Sequence, residues 1–229
     1  MNTQLELLQE KKGWKSVMKL LTILFKDRVP YQDVIALSQE YVRINIGKPL
    51  KDTFLINAHQ FIEVVAEAKK DYANFVFIQE GTEFSMMLHL SDLKDEKQEG
   101  DLLYYFRESG GLFELVQEPN LDVYDEKRGE FRGNLGSEIA RATGAGPRNT
   151  EVISHDTKDI LIFWLHHLNE YTNDVYNHLE LRMLKFISIP TSAYNDYYSA
   201  RTNKIGFVVR LDYGRDIKTD YYNFGYEHP

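Results

Sequence analysis

The sequence predicts an α+β fold with N-terminal helices, a small central, mostly antiparallel sheet, one long helix over about 156–187, and a C-terminal strand or hairpin. Three observations predict it. Apolar residues recur at three- and four-residue spacing through the first 70 residues, the spacing of one buried helix face. Short apolar runs then flank turn glycines at Gly81 and Gly110-Gly111, as in hairpins. Leu161, Leu165, Leu168, Thr172, Val175, Leu179, Arg182 and Phe186 alternate spacings of four and three, a heptad-like seam interrupted at Thr172 and Arg182.

Taken in order, Leu5 to Leu24 reads as a helix with Gly13 as a soft spot. Pro30 suits the first turn of a second helix, Tyr31 to about Ile46, which Gly47-Lys48-Pro49 ends. A third is expected from Thr53 to Lys70, with Phe54, Ala58, Phe61, Ile62 and Val65 inward. Phe75–Gln79 and Phe84–Leu90 read as a hairpin, Asp92–Asp101 as a charged loop, and Leu102–Phe106 and Leu112–Val116 as further strands. Glu118 to Arg132 is polar enough to read as turns, and Ser137–Ala142 as a short helix. Pro190 stops the long helix, and Ile205–Leu211 suits a buried strand. Residues 1–229 read as one domain, with a helical subdomain over 1–70 packed on an α+β part over 71–229 as the alternative division.

The chain has no cysteine, which excludes disulfides, cysteine-bound zinc, iron–sulfur clusters and thiol nucleophiles. Its first residues are polar and unlike a signal peptide. The longest apolar run, Ile160–Leu165, is far short of the roughly 20 residues that span a membrane. A cytoplasmic protein with no membrane contact is expected. Net charge is −8, but residues 71–140 alone carry 16 acidic and 6 basic side chains. Such a stretch repels nucleic acid phosphates and favours a partner with a basic surface.

Several groups of residues could carry chemistry. His166, Glu170, Asp174 and His178 lie four apart on the expected long helix, a spacing that can chelate a metal. They fall opposite the apolar seam, where solvent-facing residues belong, so no metal and no cofactor is expected. Asp122, Asp125, Glu126 and Lys127 have the letters of a magnesium nuclease site, in a setting that reads as an ordinary charged loop. The loop from Gly144 to Asp156 is glycine-rich and feeds a helix start, without phosphate-loop spacing.

Within that loop, Arg148-Asn149 followed by His155 resembles the Arg–polar–(four to six)–His pattern of HEPN-family RNA-cutting proteins. The resemblance implies a metal-independent ribonuclease on a helical bundle, with His155 as acid or base, Arg148 holding the phosphate and Asn149 orienting. His89-Leu90-Ser91 and His155-Asp156-Thr157 resemble the paired triplets of two-histidine phosphoesterases, which would set two histidines face to face.

Residues 191–229 hold seven tyrosines interleaved with Arg201, Lys204, Arg210, Arg215 and Lys218, a composition suited to protein interfaces. The leading expectation is therefore an interaction or regulatory protein. It would bind a protein partner through the acidic middle region and the Tyr/Arg-rich C-terminal segment, with self-association through the long helix. The alternative is the ribonuclease using Arg148, Asn149 and His155.

Overall fold

The computed structural model describes residues 28–146, 150–161, 178–212, 220–222 and 226–228. In chain order the strands are β1 (Arg28–Val29), β2 (Thr53–Asn57), β3 (Tyr72–Glu80), β4 (Glu83–Ser91), β5 (Leu102–Ser109), β6 (Leu112–Glu118), β7 (Val152–Asp156), β8 (His178–Lys185), β9 (Ile205–Asp212), β10 (Tyr221–Tyr222) and β11 (Tyr226–His228). The helices are α1 (Tyr31–Val42), α2 (Ala58–Ala68), α3 (Asp122–Gly133), α4 (Leu135–Thr143) and α5 (Asn195–Ala200), and residues 157–161 are also helical. All eleven strands join one sheet, ordered β1-β10-β9-β8-β2-β6-β5-β4-β3-β7-β11. This corrects the expected small central sheet: the sheet takes in every described strand, and β2 from the expected helical N-terminal part lies in its middle.

Neighbouring strands are antiparallel except β2 and β6, whose parallel register is one matched pair, Ile56 opposite Phe113. Beyond that point β2 ends and α2 begins. The Gln60 side chain then takes over the pairing, donating to the Leu115 carbonyl at 3.0 Å and accepting from the Leu115 N–H at 2.8 Å. A side-chain amide thus replaces a strand peptide, so the β6 backbone groups are not stranded. The Asn57 side chain caps α2 by accepting from the Gln60 N–H at 3.1 Å.

The sheet is strongly curled. Phe75 on β3 and Phe207 on β9 sit six places apart in the strand order, roughly 29 Å in a flat sheet. Their ring centroids are 5.0 Å apart. The inner face closes on a phenylalanine-rich core in which Phe54 touches Phe84, Phe106 and Phe113. Helix α2 adds Phe61 and Val65 to that core.

The outer face is covered in two places. Helices α1 and α5 bury Val34, Leu37 and Tyr198 over Leu184 and Val208. Helix α3 lays Tyr124 over Val76, Met87 and Leu103. Two turns later its Phe131 reaches the inner cluster beside Phe77 and Phe84. Being covered on both faces explains why β3 and β4 read as continuous apolar runs.

Two expected helices and one expected stretch of turns are corrected. Thr53–Asn57 is strand, with Phe54 and Ile56 inward, and the helix starts only at Ala58. The expected turns over 118–132 are helix α3, whose only buried residues are Tyr124 and Phe131, so its sequence carries almost no apolar stripe. The long helix over 156–187 is not one element. Residues 152–156 form β7 and 178–185 form β8, in which Leu179, Leu181 and Met183 alternate inward against Glu180, Arg182 and Leu184 outward. The heptad-like spacing of Leu179 and Phe186 therefore gives no coiled-coil seam, and both side chains are core. The first expected helix, before residue 28, and the middle of the long one, 162–177, lie outside the described residues. None of the described helices is long and apolar enough to cross a membrane.

Candidate functional site

At one end of the sheet, the loop 92–101 leaves β4 and enters β5, and the first turn of α3 lies beside it. Asp71, Asp92, Glu96, Glu99, Asp122 and Asp125 are all exposed there. Lysines partly offset them: Lys70 meets Asp92 at 2.9 Å, and Lys97 meets Asp122 at 3.1 Å and Asp125 at 2.8 Å. Hydrogen bonding to Asp92 holds the Lys70 ammonium above its ordinary pKa and lowers that of Asp92. At the other end of the sheet, Glu80 pairs with Arg107 and Glu108 with Lys51.

A buried polar chain fastens the acidic loop from below. Antiparallel register aligns His89 on β4, Asn74 on β3 and Ser154 on β7 in one row on the outer face. All three are fully buried. The Ser154 hydroxyl donates to Asn74 Oδ1 at 2.5 Å, Asn74 Nδ2 faces His89 Nδ1 at 3.5 Å, and His89 Nε2 meets Asp101 Oδ2 at 2.8 Å. A neutral imidazole protonated on Nε2 satisfies both neighbours. Burial lowers the His89 pKa, and the bond to Asp101 only partly counters it. The ring is closed over by Tyr124, whose centroid is 4.5 Å away.

The same side chains grip the loop backbone. Asn74 Nδ2 donates to the Leu93 carbonyl at 3.3 Å, Asn74 Oδ1 accepts from the Asp95 N–H at 3.3 Å, and Ser91 Oγ accepts from the Leu93 N–H at 3.0 Å. Asp101 Oδ2 accepts from the Gln98 N–H at 2.9 Å. Asp95 has a left-handed φ of 57°, held by Arg128 at 2.8 Å and the Tyr124 hydroxyl at 3.2 Å. Arg128 also reaches Glu151 at 3.4 Å, which Arg132 grips with two bonds of 2.7 and 2.6 Å. The loop is thus a preorganised surface.

Serine, histidine and aspartate in one chain invite comparison with a nucleophilic triad, but the chemistry differs. Ser154 donates to an amide oxygen, which takes up no proton at neutral pH, and it is sealed from solvent.

Of the sequence-derived candidates, Arg148 and Asn149 lie outside the described residues. His155 is on β7, one residue past Ser154, so its side chain points to the opposite, inner face beside Ala73 and Leu90. Its Nδ1 is shut from solvent, and burial brings its pKa down to about 4. His89 and His155 both stand on strands, but on opposite faces, so they do not form a facing pair. His166, Glu170 and Asp174 are not described; His178 opens β8. Asp122, Asp125, Glu126 and Lys127 occupy the exposed start of α3, with Lys127 paired to Glu130 at 2.8 Å. Among the described residues no three histidine, aspartate or glutamate side chains gather where they could hold a metal ion.

The tyrosines of the C-terminal segment divide. Tyr198, Tyr221 and Tyr222 are buried. Tyr198 donates to Asp33 at 3.0 Å and Tyr221 to Glu180 at 2.7 Å. Glu180 also holds Arg210 at 2.6 Å, and these bonds outweigh burial to lower its pKa. Among the residues whose burial is described, Tyr194 and Tyr197 stay partly open, with Arg201 stacked 3.7 Å over Tyr197. They follow the C-terminal end of β8, which strand directions set at the end of the sheet away from loop 92–101.

Comparison of the chain with protein-family models, with curated proteins and with solved structures finds no match.

Proposed function

We propose that the protein is an interaction or regulatory protein that binds a partner with a basic surface through its acidic sheet end. Loop 92–101 and the start of α3 form the contact. The observation that carries this is the fastening of an exposed acidic loop by buried side chains on three strands. Ordering a loop before binding removes an entropy cost that binding would otherwise bear. Carboxylates held at fixed positions also steer an oppositely charged partner during encounter. The buried state of Tyr198, Tyr221 and Tyr222 gives those three a packing role and favours the acidic end as the contact.

The test is capture from native lysate on immobilised protein, scored for both protein and nucleic acid, over a range of salt. A basic protein partner whose capture weakens as salt rises supports the proposal. Capture of nucleic acid alone, or capture indifferent to salt, contradicts it.

A further inference from the structure

The two ends of the strand order are tied together by the last stretch of chain. Strand β10 lies next to β1 near one edge of the sheet, and β11 forms the opposite edge. Tyr222 and Tyr226 are nevertheless four residues apart, so their Cα atoms are at most about 14 Å from each other. In a flat sheet nine strand spacings would separate them by roughly 43 Å. Pairing of β11 with β7 therefore closes the curl that the Phe75–Phe207 contact begins.

That closure is narrow. All five residues of β7 are matched to β3, whereas only Val152, Ile153 and Ser154 are matched to β11. By contrast, β3 and β4 are matched over nine residues each and are buried on both faces. A three-residue strand is marginal by itself, and local opening draws on such poorly anchored elements first. When β11 leaves, β7 becomes an edge with unpaired N–H and C=O groups, which is the template for adding an extended strand.

We propose that the outer edge of β7 is a strand-addition site, occupied in cis by the chain's own β11, which leaves and returns while β3 and β4 stay folded. The segment it takes is an extended peptide running antiparallel to Val152–Ser154.

Amide hydrogen exchange on the full chain tests this, with His228→Pro, which removes an N–H that faces Val152, to disrupt β11, and a free peptide of residues 223–229 as the probe. In the intact chain, the β7 amides facing away from β3 are expected to exchange at least tenfold faster than those between β3 and β4. His228→Pro should accelerate them a further tenfold or more and leave β3 and β4 unchanged. The added peptide should restore the intact rate saturably. Equal protection of β7 and β3–β4 in the intact chain, or acceleration of both together in the variant, overturns the proposal. So does a peptide that restores nothing. A concentration-dependent dimer of the intact chain with the same β7 protection would mean that a second copy supplies the strand, and the cis assignment fails.

Discussion

His89 Nε2 and the Asp101 carboxylate lie 2.8 Å apart under the acidic loop, with both side chains sealed from solvent. The pair joins the end of β4, two residues before its last, to the last residue before β5, so it spans the base of the loop. Asp101 also receives the Gln98 N–H and lies 3.4 Å from Lys70. Loss of its charge leaves several buried donors poorly served.

Asp101→Asn is therefore expected to cost roughly 2 kcal/mol of stability, since hydrogen bonds to a buried charged group are worth more than neutral ones. Amides in 92–101 should lose protection before those of β8 and β9. Denaturant titration with residue-level exchange checks this, and an unchanged loop would mean that the pair is not its anchor.

The pH dependence follows from burial of two histidines. Both folded-state pKa values lie below the ordinary 6.5, with His155 at about 4. The unfolded chain therefore takes up protons first as pH falls. Stability is full above about 6.5 and declines on acidification toward the folded values. His155 alone accounts for about 2 kcal/mol between about pH 7.5 and about pH 5. His155→Gln should flatten that part of the curve; an equally steep curve in the variant would show that the imidazole is not the source.

Gly136 sits where α4 meets the end of α3. A Cβ there would lie 2.9 Å from both the ring and the carbonyl oxygen of Phe131. Gly136→Ala is expected to destabilise by about 1–3 kcal/mol through overpacking. A thermal melt matching the parent protein would mean that the two helices part more easily than their packing implies.

A general acid or base works best with a pKa near the operating pH. His155, held neutral on the inner face, is poorly suited to that role. The purified protein is expected to leave RNA intact in EDTA. RNA cleavage abolished by His155→Ala in a folded variant would instead favour the ribonuclease alternative with Arg148 and Asn149.

Parts of this structure were legible in the sequence, for physical reasons. The β3–β4 and β5–β6 hairpins announced themselves through apolar runs around Gly81 and Gly110-Gly111, whose φ values are all positive. The same hairpin register could have revealed the buried chain. Asn74 and His89 are equally distant from the turn, each a polar residue in an apolar strand, and they pair across it. Asp101 could not be read that way, because loop 92–101 brings it back from outside the strand.

Helix α3 was hidden because it buries only two side chains and draws its stability from what they cover. Strand β8 was mistaken for helix because Leu179 and Phe186 continue the heptad-like spacing of the residues before them, although Leu179, Leu181 and Met183 alternate with polar Glu180 and Arg182, and Glu180 is buried on the outer face. Only the partners Arg210, Arg182 and Tyr221 make that position tolerable, and no local pattern reveals them.

The most direct test of the central claim compares two triple charge reversals of equal net charge. One is Asp92→Lys, Glu96→Lys and Glu99→Lys on the fastened loop; the other is Glu83→Lys, Glu108→Lys and Glu114→Lys at the far end of the sheet. Affinity for the captured basic partner is measured at one fixed salt concentration for each. The loop triple is expected to weaken binding at least tenfold while the far triple changes it less than threefold. Equal losses from both would show that only overall charge matters and would contradict a localised binding end.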